Sequence, residues 1–329
     1  MKISIITCTY NRKESLNEMY SHFNEVNTFP IEDFEIIIIN DGEINVDDLV
    51  DNYADLPIKV YKNRGKGLAA GRNTGSYLAQ NDLLLYLDDD ILINENHLQL
   101  HIEAHKSNPN SLVTANRFDS KKMIEEGQKT SFGRYKLERD YVWYEIDGEK
   151  IDLSKDFIEM AGLAGFSCSL TREDFLKIGD FNERFPFAGN EDLDFYWRAK
   201  KMGYKLIFDT KNYCYHNELF NLNKEKWMWR QTTGIKSLVH FCELNPERKE
   251  TYYYKYNLKF NRKDSTKERV EKIKRLILRQ KPILHFLLFF IKMCEKIKLP
   301  DKFIFKLYNL EFISRTNRAF REEFSKLKL

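Results

Sequence analysis

Three consecutive carboxylates, Asp88-Asp89-Asp90, follow an uninterrupted apolar run, Leu83-Leu84-Leu85-Tyr86-Leu87. Five apolar residues in a row predict a strand buried on both faces of a parallel sheet, and ionised acids cannot share that interior. The acids must lie where the strand leaves the sheet, at the carboxyl edge, where open α/β sheets bind ligands. Acids crowded there call for a divalent cation, and such a cation is a natural clamp for a diphosphate. A second acidic pair, Glu191-Asp192, follows Gly189-Asn190 and opens a helical stretch. Asn190 is expected to cap that helix, which puts both acids in its first turn, where the helix dipole favours the ionised form. A carboxylate kept ionised at neutral pH can act as a general base. Plainer readings stand beside both: a solvated acidic turn for the triplet and a helix start for the pair.

These groups need a scaffold. Residues 2–8 alternate as a β-branched strand, residues 34–39 form a second closed by Asn40-Asp41-Gly42, and residues 58–61 form a third. A glycine-rich loop, Gly65-Lys66-Gly67-Leu68-Ala69-Ala70-Gly71, leads into a helix at about 68–79, and the strand ending in the aspartates is the fourth. That rhythm predicts an α/β fold, a mostly parallel sheet flanked by helices. From 116 to 159 the pattern dissolves into a polar, aromatic stretch (Phe132, Tyr135, Tyr141, Trp143, Tyr144) with few clear elements, a length of chain that is usually functional or mobile. It resumes at Met160 to Leu170, followed by a helix capped by Thr171, the helix from Glu191 to Gly203, and a strand at 204–208. Beyond residue 221 only helical patterns remain, so the expected division is an α/β domain at 1–220 and a helical region at 221–329.

The 329 residues, 42% apolar and 31% charged, suffice for a large core. The amino terminus shows no basic segment followed by a long apolar run, so neither a signal peptide nor an anchor is expected there, and a cytoplasmic location follows. Five scattered cysteines without a CxxC pair read as reduced thiols rather than zinc or redox sites. Charge is uneven: residues 251–329 hold 21 Lys and Arg against 8 Asp and Glu, a balance of +13 within a chain of +3, which leaves −10 for residues 1–250. The longest apolar run in the tail, Ile283 to Ile291, is nine residues, too short to span a bilayer. The tail could rest on an anionic membrane surface or form a packing or oligomerisation subdomain. No recognised nucleic-acid module accompanies the charge, so no nucleic acid partner is expected.

Five segments, in order, resemble glycosyltransferase family 2, a group of inverting enzymes with the GT-A fold. They are Ser4-Ile5-Ile6-Thr7-Cys8-Thr9-Tyr10-Asn11, Asn40-Asp41-Gly42, Asn63 to Gly75, Leu87-Asp88-Asp89-Asp90, and Gly189-Asn190-Glu191-Asp192-Leu193-Asp194 with Arg198 and Gly203 beyond. The resemblance covers roughly residues 2–218 and implies a hexosyltransferase of class EC 2.4. Such an enzyme would move a hexose or HexNAc from a nucleotide-diphosphate donor, a UDP-sugar, to a hydroxyl of a glycan or lipid-linked acceptor. It would work in surface polysaccharide or glycoconjugate synthesis, peripheral on the inner face of the cell membrane. The triplet resembles the family's DxD motif, which holds Mn²⁺ or Mg²⁺ against the donor diphosphate. By that match Asp90 is the direct metal ligand, and Asp88 and Asp89 contact the ribose or the waters of the metal shell, with Asp88 counted among the metal residues. His216 matches a late histidine that can complete the shell, although a lone His is as readily structural. Asp41 matches the carboxylate that binds the nucleotide base, with Thr9, Tyr10 and Asn11 beside it, unless Asp41-Gly42 is merely a turn. Arg72 would reach the base or phosphates, or else be a surface cation of its helix. Gly165 lies in the segment that shapes the donor-sugar and acceptor pocket. Asp192 would be the base, with Glu191 near the acceptor. More distantly, the run from Thr171 to Asp192 is similar to the carboxyl-terminal part of galactosyl- and N-acetylgalactosaminyltransferase domains. Two alternatives remain: a nucleotide-sugar-binding protein of the same fold without turnover, and an NAD(P)-dependent oxidoreductase using the glycine-rich loop. In that loop the last glycine comes six residues after the first rather than five, and the oxidoreductase reading leaves both acidic motifs unexplained.

Overall fold

The computed structural model describes residues 1–140, 145–146, 149–150, 152, 154–160, 162, 165–185, 189–253, 256 and 258–327. The chain forms two compact units, Met1–Met123 with Trp143–Glu218, and Ile124–Val142 with Leu219–Leu329. The first unit begins with β1 (Ile3–Thr9), α1 (Lys13–Val26), β2 (Phe34–Asn40), α2 (Leu49–Asn52), β3 (Ile58–Lys62), α3 (Gly67–Leu78), β4 (Leu83–Leu87), β5 (Ile91–Ile93), α4 (His97–Ser107) and β6 (Ser111–Asp119). Helix α5 (Lys121–Gln128) crosses the unit boundary, and α6 (Ser131–Asp140) belongs to the second unit. The first unit then continues with β7 (Glu145–Ile146), β8 (Glu149–Lys150), β9 (Phe157–Glu159), β10 (Ser167–Thr171), α7 (Arg172–Ile178), α8 (Glu191–Lys201) and β11 (Lys205–His216).

Among the described residues the main sheet has nine strands in the order β3-β2-β1-β4-β10-β6-β11-β5, with β9 also on β11. Strands β3, β2, β1 and β4 pair in parallel, as do β6 and β11. Strand β10 runs antiparallel between β4 and β6, and β5 antiparallel to β11. Alternation along the strands divides their side chains between two layers. Ile3, Ile5, Ile36, Ile38, Leu83 and Leu85 pack on Leu16, Met19, Tyr20 and Phe23 of α1. Ile6, Ile37, Ile39, Leu84 and Tyr86 pack with Phe175, Phe181 and Phe195 on the other face. Every residue of β4 is buried, as the apolar run requires, so the chain can release charge only past Leu87.

Two helices, α5 and α6, occupy much of the stretch whose sequence shows few clear elements. Their glycines look like breakers but serve as contacts: a Cβ on Gly133 would lie 2.8 Å from the Gly127 carbonyl carbon. Tyr141, Trp143 and Tyr144, and Ala161, Leu163 and Ala164 of the following segment, lie outside the described residues, and within that segment a strand runs from Ser167. Thr171 caps α7 as expected, its Oγ1 accepting from the Asp174 N–H at 3.1 Å.

The second unit is helical, with α9 (Lys224–Leu244), α10 (Lys249–Tyr253), α11 (Thr266–Leu278), α12 (Lys281–Lys296) and α13 (Asp301–Lys326) joining α6. Phe132 and Tyr135 of α6 meet Trp227 and Met228 of α9, Leu287 and Ile291 of α12, and Ile304 and Tyr308 of α13 in its core. No described helix is long and apolar enough to cross a membrane.

Candidate active site

Past Leu87 the backbone turns at once, the Ile91 N–H donating to the Asp88 carbonyl at 3.2 Å, and the three aspartates leave in different directions. Asp88 faces Arg72, Oδ1 to Nη2 3.4 Å. Asp89 accepts from Thr9 Oγ1 at 2.8 Å and from Arg12 Nη1 at 2.7 Å. Asp90 accepts from Arg12 Nη2 at 2.7 Å and faces His216 Nε2 at 3.2 Å. Adjacency of β1 and β4 explains the pattern, because β1 ends at Thr9 and the chain reaches Arg12 just beyond. Asp89 and Asp90 are both buried. Burial pushes the Asp89 carboxyl up to about 7, with Arg12 opposing. Burial acts upward on Asp90 too, but His216 and Arg12 outweigh it and hold that carboxyl below its ordinary range.

Asp90, His216 and Glu218 each offer a ligand atom, and these atoms lie within 4.8 Å of one another. His216 arrives there through a bulge in β11 between Asp209 and Tyr213, where Asp209 Oδ1 accepts from the Lys211 and Asn212 N–H groups at 3.0 and 3.1 Å. Beyond the bulge Cys214 and His216 are buried while Tyr213 and Tyr215 are exposed. The group fits a divalent cation: two carboxylates and an imidazole are suitable donors, and the buried Asp90 Oδ1 makes no hydrogen bond of regular geometry. Asp90 and His216 are thus brought together as expected, whereas Asp88 is turned to Arg72 and Glu218 completes the group.

Arg72 is a buried residue of α3 rather than a surface cation, its guanidinium 6.0 Å from the Tyr86 ring centroid and 5.4 Å from that of Phe181. It donates to Glu191 Oε1 at 3.1 Å and to the Gly165 carbonyl at 3.2 Å, besides facing Asp88. Glu191 is buried as well, and its Oε2 accepts from the Gly189 N–H at 2.6 Å. Burial raises the Glu191 carboxyl, Asp192 adds to this and Arg72 opposes it, leaving it at about 7. Asn190 does occupy the position before α8, but in a left-handed conformation (φ 69°) from which its side chain makes no capping bond. The expected cap is therefore corrected: Glu191 takes up the local N–H instead. Asp192 is half-buried beside Gly165, where an added Cβ would fall 3.0 Å from Asp192 Oδ2 and 2.9 Å from Arg72 Nη2.

Around the expected base pocket, Tyr10 is exposed and Asp41 is half-buried. Asp41 Oδ1 accepts from Asn63 Nδ2 at 2.8 Å and Oδ2 from the Gly67 N–H at 2.9 Å. The carboxylate of this chain thus holds the N-terminus of α3, the place a dinucleotide phosphate would take in the oxidoreductase alternative. Asn11, at φ 54°, accepts with Oδ1 from the Glu43 and Ile44 N–H groups at 2.9 and 3.1 Å, bracing the turn after β2. Thr9 is buried and committed to Asp89. Sequence reasoning missed Arg12 and Glu218. The only signal for Glu218 was its place two residues after His216, and nothing local distinguished Arg12 from other cations.

The Glycosyl transferase family 2 profile matches residues 4–179. The chain belongs to glycosyltransferase family 2. This family 2 chain is 26% identical over 231 residues to validoxylamine A glucosyltransferase of Streptomyces hygroscopicus subsp. limoneus, a match covering 64% of the chain and 50% of that relative. The chain thus spans about half the length of this curated relative. The more distant likeness to N-acetylgalactosaminyltransferases is also found: polypeptide N-acetylgalactosaminyltransferase 11 of Xenopus tropicalis is 24% identical over 219 residues, 62% of the chain and 36% of the relative. Among solved structures, mannosyltransferase PcManGT of Pyrobaculum calidifontis in complex with GDP-Man and Mn²⁺ has a TM-score of 0.60 at 14% identity, covering 98% of this chain and 88% of that one. An N-acetylgalactosaminyltransferase with UDP, GalNAc and Mn²⁺ has a TM-score of 0.55 at 14% identity, covering 83% and 54%. At that identity the family 2 chain shares their GT-A type of fold, a mostly parallel sheet flanked by helices.

Proposed function

We propose that this chain is a metal-dependent inverting glycosyltransferase that moves a sugar from a nucleotide-diphosphate donor to an acceptor hydroxyl. The observation that carries this reading is the reach of Arg72, whose one buried guanidinium joins Asp88 of the triplet to Glu191 beside Asp192. The diphosphate-facing and acceptor-facing acids therefore belong to one site. Asp192 accepts the hydroxyl proton as the acceptor oxygen bonds to the anomeric carbon, and the bond from that carbon to the diphosphate oxygen breaks, the nucleotide diphosphate leaving with the electron pair. Asp90, His216 and Glu218 would hold a divalent cation, which when bound would supply charge neutralisation for that leaving group. Glu191 is a positioning residue, since its buried carboxyl faces Arg72 rather than open space. Gly165, where an added Cβ would fall 3.0 Å from Asp192 Oδ2, lets Asp192 and Arg72 lie close against the backbone. Thr9 and Arg12 hold Asp89 and Asp90 in place, while Asp41 with Tyr10 and Asn11 flanks the base.

A UDP-linked hexose or HexNAc is the donor we favour, supported by the glucosyl and N-acetylgalactosaminyl relatives and by the UDP-bound neighbour of the same fold. The acceptor we favour is a glycan or lipid-linked glycan in surface glycoconjugate assembly on the cytoplasmic face of a membrane. Residues 1–220 would serve as the transferase domain and 221–329 as the region that meets the membrane or a partner.

A thermal-shift screen of UDP- and GDP-sugars with and without Mn²⁺ tests the class, because a ligand of the native state raises its apparent stability. A Mn²⁺-dependent shift with one donor supports the reading, and stabilisation by NAD(P) alone overturns it. Asp90→Ala is expected to abolish the Mn²⁺-dependent shift. Asp192→Asn is expected to keep it while transfer falls by about 10²-fold or more. Normal turnover by Asp192→Asn would remove that residue as base.

A further inference from the structure

Two consecutive helices of the second unit leave apolar stripes in solvent. On α12, Phe286, Phe289 and Met293, with Ile297 just past its end, are exposed, Phe286 to 67% and Phe289 to 62%. At about 100° per residue these four lie within an arc of about 80°, away from the buried Leu287, Ile291 and Cys294 that hold the helix to the core. On α11, Val270, Ile273 and Ile277 are likewise exposed and fall on one side, opposed by the buried Leu278. Single exposed apolar residues need no explanation, but seven large ones, gathered on one side of each of two adjoining helices, do.

Their charged surroundings identify the occupant. From Thr266 to Lys298 there are ten Lys and Arg against three Glu. On the α12 wheel exposed Lys296 stands directly beside the apolar arc with exposed Lys292 and Lys281 further along the same flank, and on α11 exposed Lys267 and Arg269 flank theirs. A second copy of the chain docked here would bring two strongly basic faces together, which like-charge repulsion opposes. An anionic bilayer satisfies both features at once: its headgroups attract the cations and its interface receives the apolar side chains.

We propose that the exposed stripes of α11 and α12 form a docking face for an anionic membrane surface, with Phe286 and Phe289 as its inserting side chains. The face is read from the second unit alone, and only its purpose, presenting the enzyme to a lipid-borne acceptor, rests on the proposed transfer. Binding to vesicles requires no donor, so the docking face and the transferase reading can fail separately.

The test is co-sedimentation of the full chain with phosphatidylcholine vesicles and with phosphatidylcholine–phosphatidylglycerol vesicles, at low and at high NaCl. Binding is expected to the anionic vesicles only, weakened several-fold by salt. Phe286→Ser with Phe289→Ser should lower the partition by about ten-fold or more, and Lys292→Glu with Lys296→Glu by a comparable factor. Both changes are at exposed positions, and unaltered unfolding temperatures would confirm that the unit still folds. Equal binding by the serine variant, or no salt-sensitive binding by the parent chain, would overturn the proposal. So would concentration-dependent dimers that the serine variant abolishes, because a second copy would then be what covers the face.

Discussion

Arg72→Met isolates the contact on which the site turns. Arg72 and Glu191 are 4% and 3% exposed and meet at 3.1 Å, so the substitution leaves a buried carboxyl without its counter-charge. Breaking a buried pair from one side costs about 3–5 kcal/mol where the orphaned group stays charged, and less where the carboxyl can take up a proton. Its pH dependence is the sharper test. In the folded chain the Glu191 carboxyl is raised by burial to about 7, against 4.5 when free, so between those values the native state keeps a proton that the unfolded chain has lost. Stability therefore falls with rising pH by about 1.4 kcal/mol per unit over that window, roughly 3 kcal/mol in all, and levels off above 7. Without Arg72 the one strong opposing charge is gone, the carboxyl titrates higher, and the fall continues past 7. The gap between variant and parent should thus be smallest near pH 6 and wider by about 1 kcal/mol or more at pH 8. Adding Glu191→Gln to the variant should close most of that extra gap. Urea unfolding at the two pH values measures it. A penalty under about 1 kcal/mol, or one that is the same at both pH values, would refute the view that Glu191 is a buried group governed by Arg72.

Three further outcomes follow from the geometry. Gly165→Ala places a methyl 2.9 Å from Arg72 Nη2 and 3.0 Å from Asp192 Oδ2. Since Arg72 cannot retreat from its buried position, Asp192 must shift, and kcat should drop by about 10²-fold with little loss of donor-induced stabilisation; activity within three-fold or so of the parent would count against Asp192 depending on that close approach. Glu218→Gln should raise the Mn²⁺ concentration needed for the donor-dependent thermal shift by about ten-fold or more while leaving the unfolding temperature without metal nearly unchanged. Gly42→Ala puts a Cβ 2.6 Å from the Asn11 backbone nitrogen, which cannot swing aside, and should destabilise the chain by about 1–3 kcal/mol in urea unfolding.

Much of the first unit is legible residue by residue. The five buried positions of β4, the β-branched β1 and β2 and the Thr171 cap all follow from local pattern. The helices α5 and α6 were hidden because their glycines serve a close helix contact, which composition alone reads as loop. Asp90 and His216 were named together from the family's motif order, yet the approach of Glu218 to them, with Asp88 turned away, was not foreseen, because the side each acid faces is set by the turn after Leu87.

The apolar run alone requires three acids to emerge from the end of a buried strand, because burial on both faces of a sheet is written in consecutive apolar residues. It also marked the second acidic pair and the basic, apolar tail, each of which is a local pattern of charge. Which side chains meet is set by the fold as a whole. Strand β10 lies antiparallel beside β4, the β11 bulge turns His216 inward, and Arg72 meets Glu191 across 119 positions of chain. Such pairings depend on strand order and register, which are settled by the packing of the whole sheet and leave no mark on the residues next to them.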